Sequence, residues 1–330
     1  MTKATFILGV DVSKKTLDIY SPECDQHLQI TNTTEGFRLL HQWCRLHGVN
    51  LKDTLVVLEY TGGYEYRLLQ HLTQKKIAFV RIPGLALKRS LGITRGKSDA
   101  LDCARIARYG RINQKDLRPH ELNATLLELR QRLSFRKRVV RDLAADKTTL
   151  GERRHMKELK KDDAICRWLS RRIRYNERLL KEVKESIEKL IRADEDLWLS
   201  YRLLSSIKGI GPVNAWMTIA YTENFTSFTD PRKYAVYVGV VPFEHSSGTS
   251  IGGRKRISHL ANKELKAELD CAARAAIQHD PELRQYAAAK RKEGKAEKLI
   301  RNNVRFKLIV RMFAIVKRGT EYVENYQKAA

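Results

Sequence analysis

The segment TFILGVDVSKKTLDIYS, residues 5–21, decides how the chain begins. An apolar run, TFILGVDVS, carries one acid in its middle, Asp11, and a Lys-Lys turn leads into a second run, TLDIYS. Short apolar runs bounded by polar turns predict two strands in succession. A carboxylate inside an apolar strand is costly unless it is paired or ligates a cation. Lys14 or Lys15 would offer a salt bridge at the strand edge. A cation is the other solution, and the rest of the chain has to choose between them.

Working outward, HLQITNT (27–33) predicts a third strand, and TEGFRLLHQWCRLHG (34–48) a helix with Thr34 as its N-cap. TLVVLEY (54–60) is a fourth strand, YEYRLLQHLTQKK (64–76) a second helix and IAFVRIP (77–83) a fifth strand. The basic segment LALKRSLGITRGK (85–97) then leads into KSDALDCARIARY (97–109), a helix capped by Ser98. Three strands followed by alternating helix and strand predict an α/β first domain, residues 1–125, with a mixed sheet flanked by helices. Residues 126–197 are charged and helical, with Leu169, Ile173, Leu180, Val183, Ile187 and Leu190 close to a heptad seam that Asn176 interrupts. That seam fits either a coiled-coil arm that joins two chains or a hairpin packed on its own domain. Residues 198–330 read as a mainly α-helical second domain ending in a basic amphipathic tail.

Lys and Arg total 63 against 38 Asp and Glu, a formal net charge of +25 over 330 residues. Such a surface attracts phosphate backbones. No apolar window is long enough to span a bilayer, so nucleic acid is the expected partner and no membrane is expected. The five cysteines, Cys24, Cys44, Cys103, Cys166 and Cys271, are scattered without a CxxC pair, which points to a reducing cytoplasm rather than a disulfide framework or zinc site.

Against this positive background the acids stand out. Glu59 closes the fourth strand, and Asp99 and Asp102, three residues apart, share a helix face. Acids in a first turn also stabilise a helix through its dipole, by ~0.3–1 kcal/mol each. If the first and fourth strands are neighbours, Asp11 and Glu59 meet the helix pair at one end of the sheet. Four carboxylates gathered there repel one another without a cation, and all-oxygen donors suit Mg²⁺ or Mn²⁺. Two such ions clamp the attacking and leaving oxygens of a phosphoryl transfer.

Asp11 in GVDVSKKTLD, Glu59 in LEYTGGYE and the run KSDALDCARIARY together resemble the ribonuclease-H-like (RuvC-like) domain of Holliday-junction resolvases. More closely, they look like the DEDD transposases of bacterial insertion sequences, relatives of the Piv-type DNA invertases. The resemblance implies that Asp11, Glu59, Asp99 and Asp102 are metal-binding catalytic carboxylates. In the second half, YAVYVGVVPFEHSSGTSIGGRKRISHLANKEL (234–265) looks like the second motif of that family, and Ser247 before Gly248 matches its serine. The resemblance implies that Ser247 is a nucleophile that forms a phosphoserine link to DNA. From the residues alone, Ser246, Ser247 and Ser250 compete for that role, and His245 is the nearest base in sequence. Phe243 and Glu244 stand where relatives often carry basic residues. The resemblance further implies a dimer or tetramer and a structured non-coding guide RNA.

SSIKGIGPVNA (205–215) resembles a helix-hairpin-helix turn, in which Lys208, Gly209 and Gly211 would hold a phosphate; a plain Gly-Pro turn between helices is the alternative. Lys97, Arg254, Lys255 and Arg256 are further expected phosphate contacts. The expected activity is that of an insertion-sequence transposase acting as a DNA recombinase. A metal-dependent junction-resolving nuclease and a non-catalytic RNA-binding scaffold are the competing readings.

Overall fold

β1 (Phe6–Val12), β2 (Thr16–Ser21) and β3 (Gln26–Thr31) form an antiparallel meander, because each turn between them is only a few residues long. β4 (Thr54–Glu59) returns beside β1, and β5 (Ala78–Ile82) beside β4, both parallel, giving the order β3-β2-β1-β4-β5. The computed structural model describes residues 4–60, 62–90, 99–119, 123–156, 163–242 and 261–323. Two compact units result, Met1–Asn123 and Ala124–Ala330.

Strand alternation sorts the first unit into two cores. Leu8, Val10, Leu17, Ile19, Val56 and Leu58 pack under α1 (Thr34–Leu46) and α2 (Tyr66–Gln74). Ile7, Leu55, Val57, Val80 and Ile82 face the other way, with Leu87 of α3 (Gly84–Ser90) and with Ile106 and Ala107 of α4 (Asp99–Asn113). The N-cap of α1 is Thr33, not Thr34. Thr33 keeps extended backbone and its side chain accepts from the Gly36 amide, whereas Thr34 is already helical.

One polar contact joins α1 to α2. The Nε2 atoms of His41 and His71 lie 2.9 Å apart, so one ring donates to the other. Both titrate below the ordinary histidine value, because of burial first, then Lys75 and Arg45 at His41, and His41 itself and Lys75 at His71. A folded pKa held below 6.5 means the folded state takes up protons later than the unfolded one. The stability it contributes is complete above about pH 6.5 and is lost as pH falls below that. We expect Tm to drop between pH 7.5 and 5.5, and expect His71→Gln to flatten that slope. Thermal scans at several pH values check it; an unchanged slope in the variant removes the pair as the cause.

In the second unit, α5 (Ala124–His155) and α6 (Ala164–Arg192) form a long hairpin. The apolar seam of α6 is filled from within the chain: Ile173, with Leu169 and Leu180, packs against Leu143 and Leu150 of α5. Asp146 of α5 is buried and paired with Arg172 of α6, and Arg153 meets Asp163 at 3.1 Å near the hairpin tip. Of the two readings of the heptads, the structure shows the hairpin, and a chain-joining coiled-coil arm is not what these contacts describe.

The remaining helices are α7 (Glu195–Ser205), α8 (Pro212–Thr222), α9 (Pro231–Val238), α10 (Lys263–His279), α11 (Pro281–Lys292) and α12 (Glu297–Arg318). They surround a core that includes Trp216, Tyr234, Leu269 and Met312 and that receives Leu129 and Ile187 from the hairpin. Among the described residues, no helix is long and apolar enough to cross a membrane.

Candidate active site

Two parallel neighbours end at the same edge of a sheet, and that places the first two acids. The β1–β4 register ends with Val10 opposite Leu58, so Asp11 and Glu59 follow it one step on. Both lie on the face of the sheet that carries Ile7 and Val57, the face covered by α4.

The seat of α4 on that face is set by glycine. A Cβ on Gly9 would stand 2.3 Å from the Ala107 amide nitrogen and from the Cys103 carbonyl oxygen. Helix backbone therefore rests directly on strand backbone there. Farther along, Gly110 lies against Val57 and Ile7. From Gly110 back to Asp102 the helix advances about 12 Å at 1.5 Å per residue. From Ile7 to Asp11 the strand advances about 13 Å at 3.3 Å per residue. The two distances match, so Asp102 arrives level with Asp11, and Asp99 opens the helix one turn further out.

Each described acid has its own surroundings. Glu59 lies against Gly84, where an added Cβ would come within 1.9 Å of its Oε1. Asp102 is held by Arg105, whose Nη1 donates to Oδ1 at 2.8 Å. The Cys103 thiol is pushed up to about 12, by burial first and then by the charges of Asp18 and Asp11 among its causes.

Asp18 was not among the residues singled out from sequence. It pairs with Asp11 directly across the antiparallel β1–β2 ladder, and it is buried. Gln29 Nε2 donates to both its oxygens, at 3.1 and 3.2 Å, and His27 Nε2 to Oδ1 at 3.0 Å. The signal was present in TLDIYS: with Leu17 and Ile19 facing one core, alternation puts Asp18 on the opposite face with Asp11.

Directly opposed residues hold their Cβ atoms about 4.5–5.5 Å apart. Two unit charges near 5 Å repel by ~3 kcal/mol at an effective dielectric of about 20. A cation offsets such repulsion, and the donor set fits a hard one: carboxylates only, delivered by β1, β4 and α4 to one end of one face. Among the described residues, no three acid, histidine or cysteine side chains stand close enough to hold a metal ion. The fit is thus one of donor chemistry and backbone placement, with Arg105 supplying the positive charge at Asp102.

In the second unit, Gly209 has φ +97°, and a Cβ there would stand 2.6 Å from that of Ala276. The turn between α7 and α8 is therefore pressed onto α10. Gly211, the N-cap of α8, has open space around it, and Pro212 follows at the first helical position. Lys208 is exposed on the same turn. Asn262 caps α10 by accepting from the Leu265 amide at 3.1 Å, so the last part of the second motif is a helix start. Ser247 and its competitors Ser246 and Ser250, His245, Lys97, Arg254, Lys255 and Arg256 lie outside the described residues.

Comparison with known proteins gives the family. Residues 8–152 match a family model described as Transposase, of the DEDD type named for IS110, and residues 201–288 match the Transposase IS116/IS110/IS902 family. The chain belongs to this IS110-type transposase family, which makes it a DNA-processing enzyme of the transposase and recombinase class. The pilin gene-inverting proteins of Moraxella lacunata and Moraxella bovis are each 26% identical to it over 322 residues, 96% of this chain and 97% of the relative. An insertion element IS110 uncharacterized 43.6 kDa protein of Streptomyces coelicolor is 31% identical over 120 residues, 36% of this chain and 29% of that protein.

Proposed function

We propose that this chain cuts and rejoins DNA as the transposase of an insertion element, through a metal-dependent phosphoryl transfer in which Ser247 is the nucleophile. One observation carries the metal-dependent part: parallel β1 and β4 bring Asp11 and Glu59 to the sheet end that α4, starting at Asp99, covers with Asp102. Asp11, Glu59, Asp99 and Asp102 would hold Mg²⁺ or Mn²⁺. When bound, the ion supplies Lewis-acid polarisation of a DNA phosphate oxygen.

Ser247 rests on the resemblance of its motif. Its Oγ attacks phosphorus, the P–O bond to one sugar breaks, and that strand leaves with a hydroxyl. A second DNA hydroxyl then attacks the phosphoserine and restores the serine. One phosphoester forms for each one lost, so rejoining needs no nucleotide hydrolysis. Lys208 with Gly209 and Gly211, and Lys97, Arg254, Lys255 and Arg256, contact phosphates without reading sequence. Residues 1–125 act as the RuvC-like catalytic domain, 126–197 as the helical arm and 198–330 as the transposase domain that brings the serine. A dimer or tetramer, guided by a structured non-coding RNA, completes the active form.

Covalent capture tests this. Protein incubated with element-end DNA, the adjacent non-coding RNA and Mg²⁺ is expected to give a denaturation-resistant adduct that maps to Ser247 and vanishes in Ser247→Ala. Cleavage at full rate by Ser247→Ala, with no adduct, would assign the chemistry to water at the acidic site instead.

A further inference from the structure

We infer that Asp18 is a positioning residue of the acidic site, a fifth carboxylate that tunes how tightly the four proposed ligands take up a divalent cation. The inference rests on the metal-dependent reading above and adds a residue to it.

Three observations carry it. Asp18 stands directly opposite Asp11 in the β1–β2 register and on the same face of the sheet. Only 5% of it is exposed, so its charge is poorly hydrated. Both its oxygens are fixed by neighbours on β3, since Gln29 and His27 occupy the same face one strand out. The outer strand thus holds a charged group immobile beside the first acid of the site. In that position its charge adds to the negative potential at Asp11. With a cation present the same placement is favourable, because the added negative potential strengthens uptake while the Gln29 and His27 donors keep Asp18 from collapsing onto the ion itself. Partners of this kind, one layer out from the ligands, typically shift metal affinity 10- to 100-fold.

The test is a Mn²⁺ titration of the full-length protein, with free ion followed by electron paramagnetic resonance. Asp18→Asn keeps the shape and an acceptor for Gln29, and is expected to weaken Mn²⁺ binding roughly 10-fold with an unchanged circular dichroism spectrum. Gln29→Met leaves every carboxylate in place but leaves Asp18 with His27 as its one remaining donor of the two, and a smaller loss of about threefold or more is expected, below that range. Should Asp18→Asn fail to fold, Gln29→Met decides alone. Parental affinity in the folded variants, with affinity lost in Asp11→Asn, overturns the role of Asp18 and leaves the metal site standing. Equal Mn²⁺ binding by all, Asp11→Asn included, places the ion elsewhere and removes both readings.

Discussion

Replacing Gly9 with alanine is expected to lower Tm by on the order of 10 °C and to reduce strand cleavage about a hundredfold. The added Cβ would lie 2.3 Å from two backbone atoms of α4, at Ala107 and Cys103. Side chains move aside at little cost, but helix backbone moves only as a unit, so α4 must lift by about an ångström. Overpacking of that kind typically costs about 1–3 kcal/mol, and backbone contact on both sides puts Gly9 at the upper end. The same displacement carries Asp102 away from Asp11, which is why rate is lost beyond what stability explains. Gly151 in α5 is the control. Nothing lies within 4 Å of a Cβ added there, and alanine should stabilise that helix by roughly 0.5–1 kcal/mol. Equal Tm for Gly9→Ala and the parent would refute the direct seating of α4 on β1.

The second large effect is at Asp11, where activity and stability are expected to move in opposite directions. Asp11→Asn removes a carboxylate proposed to act on the developing charge of the reaction, and a loss of about 10²–10³ in cleavage rate is expected. Asparagine keeps the side chain's shape and one acceptor oxygen while ending the repulsion with Asp18 across the ladder. Asp11 is partly exposed, so solvent reduces that repulsion well below its buried value. Without metal, the variant should still be more stable than the parent, by on the order of 1 kcal/mol, and melt higher. Saturating Mg²⁺ should narrow the gap, because the ion stabilises only the parent. A metal-free variant that melts lower than the parent would show that the repulsion between Asp11 and Asp18 is outweighed by the contacts the Asp11 carboxylate makes.

What the sequence made legible follows from cost. Asp11 and Glu59 were readable because an acid in an apolar strand demands a reason, whatever the fold. The strand-strand-strand-helix-strand order was readable because turns and alternation are local. The seating of α4 was not, since it depends on β4 returning beside β1, a pairing that no local pattern announces. Gly9 looked like any glycine in a strand until Cys103 and Ala107 stood against it. Asp18 lay in plain view, but its meaning depends on facing Asp11. The heptads of α6 correctly marked an apolar stripe, yet periodicity does not say whose helix covers it; Leu143 and Leu150 of the same chain do. The shift of the α1 cap from Thr34 to Thr33 is the smaller kind of error, one residue of backbone conformation.

All four proposed ligands and Asp18 belong to the unit that ends at Asn123. That unit has its own sheet and two cores, and domains generally fold as units, the N-terminal one first, while the ribosome is still at work. The acidic end is then assembled before the codon for Ser247 has been read. On the proposed mechanism, a nascent or prematurely terminated chain would hold these acids yet carry no Ser247, so the order of synthesis would keep the unfinished protein from forming the proposed serine link to DNA.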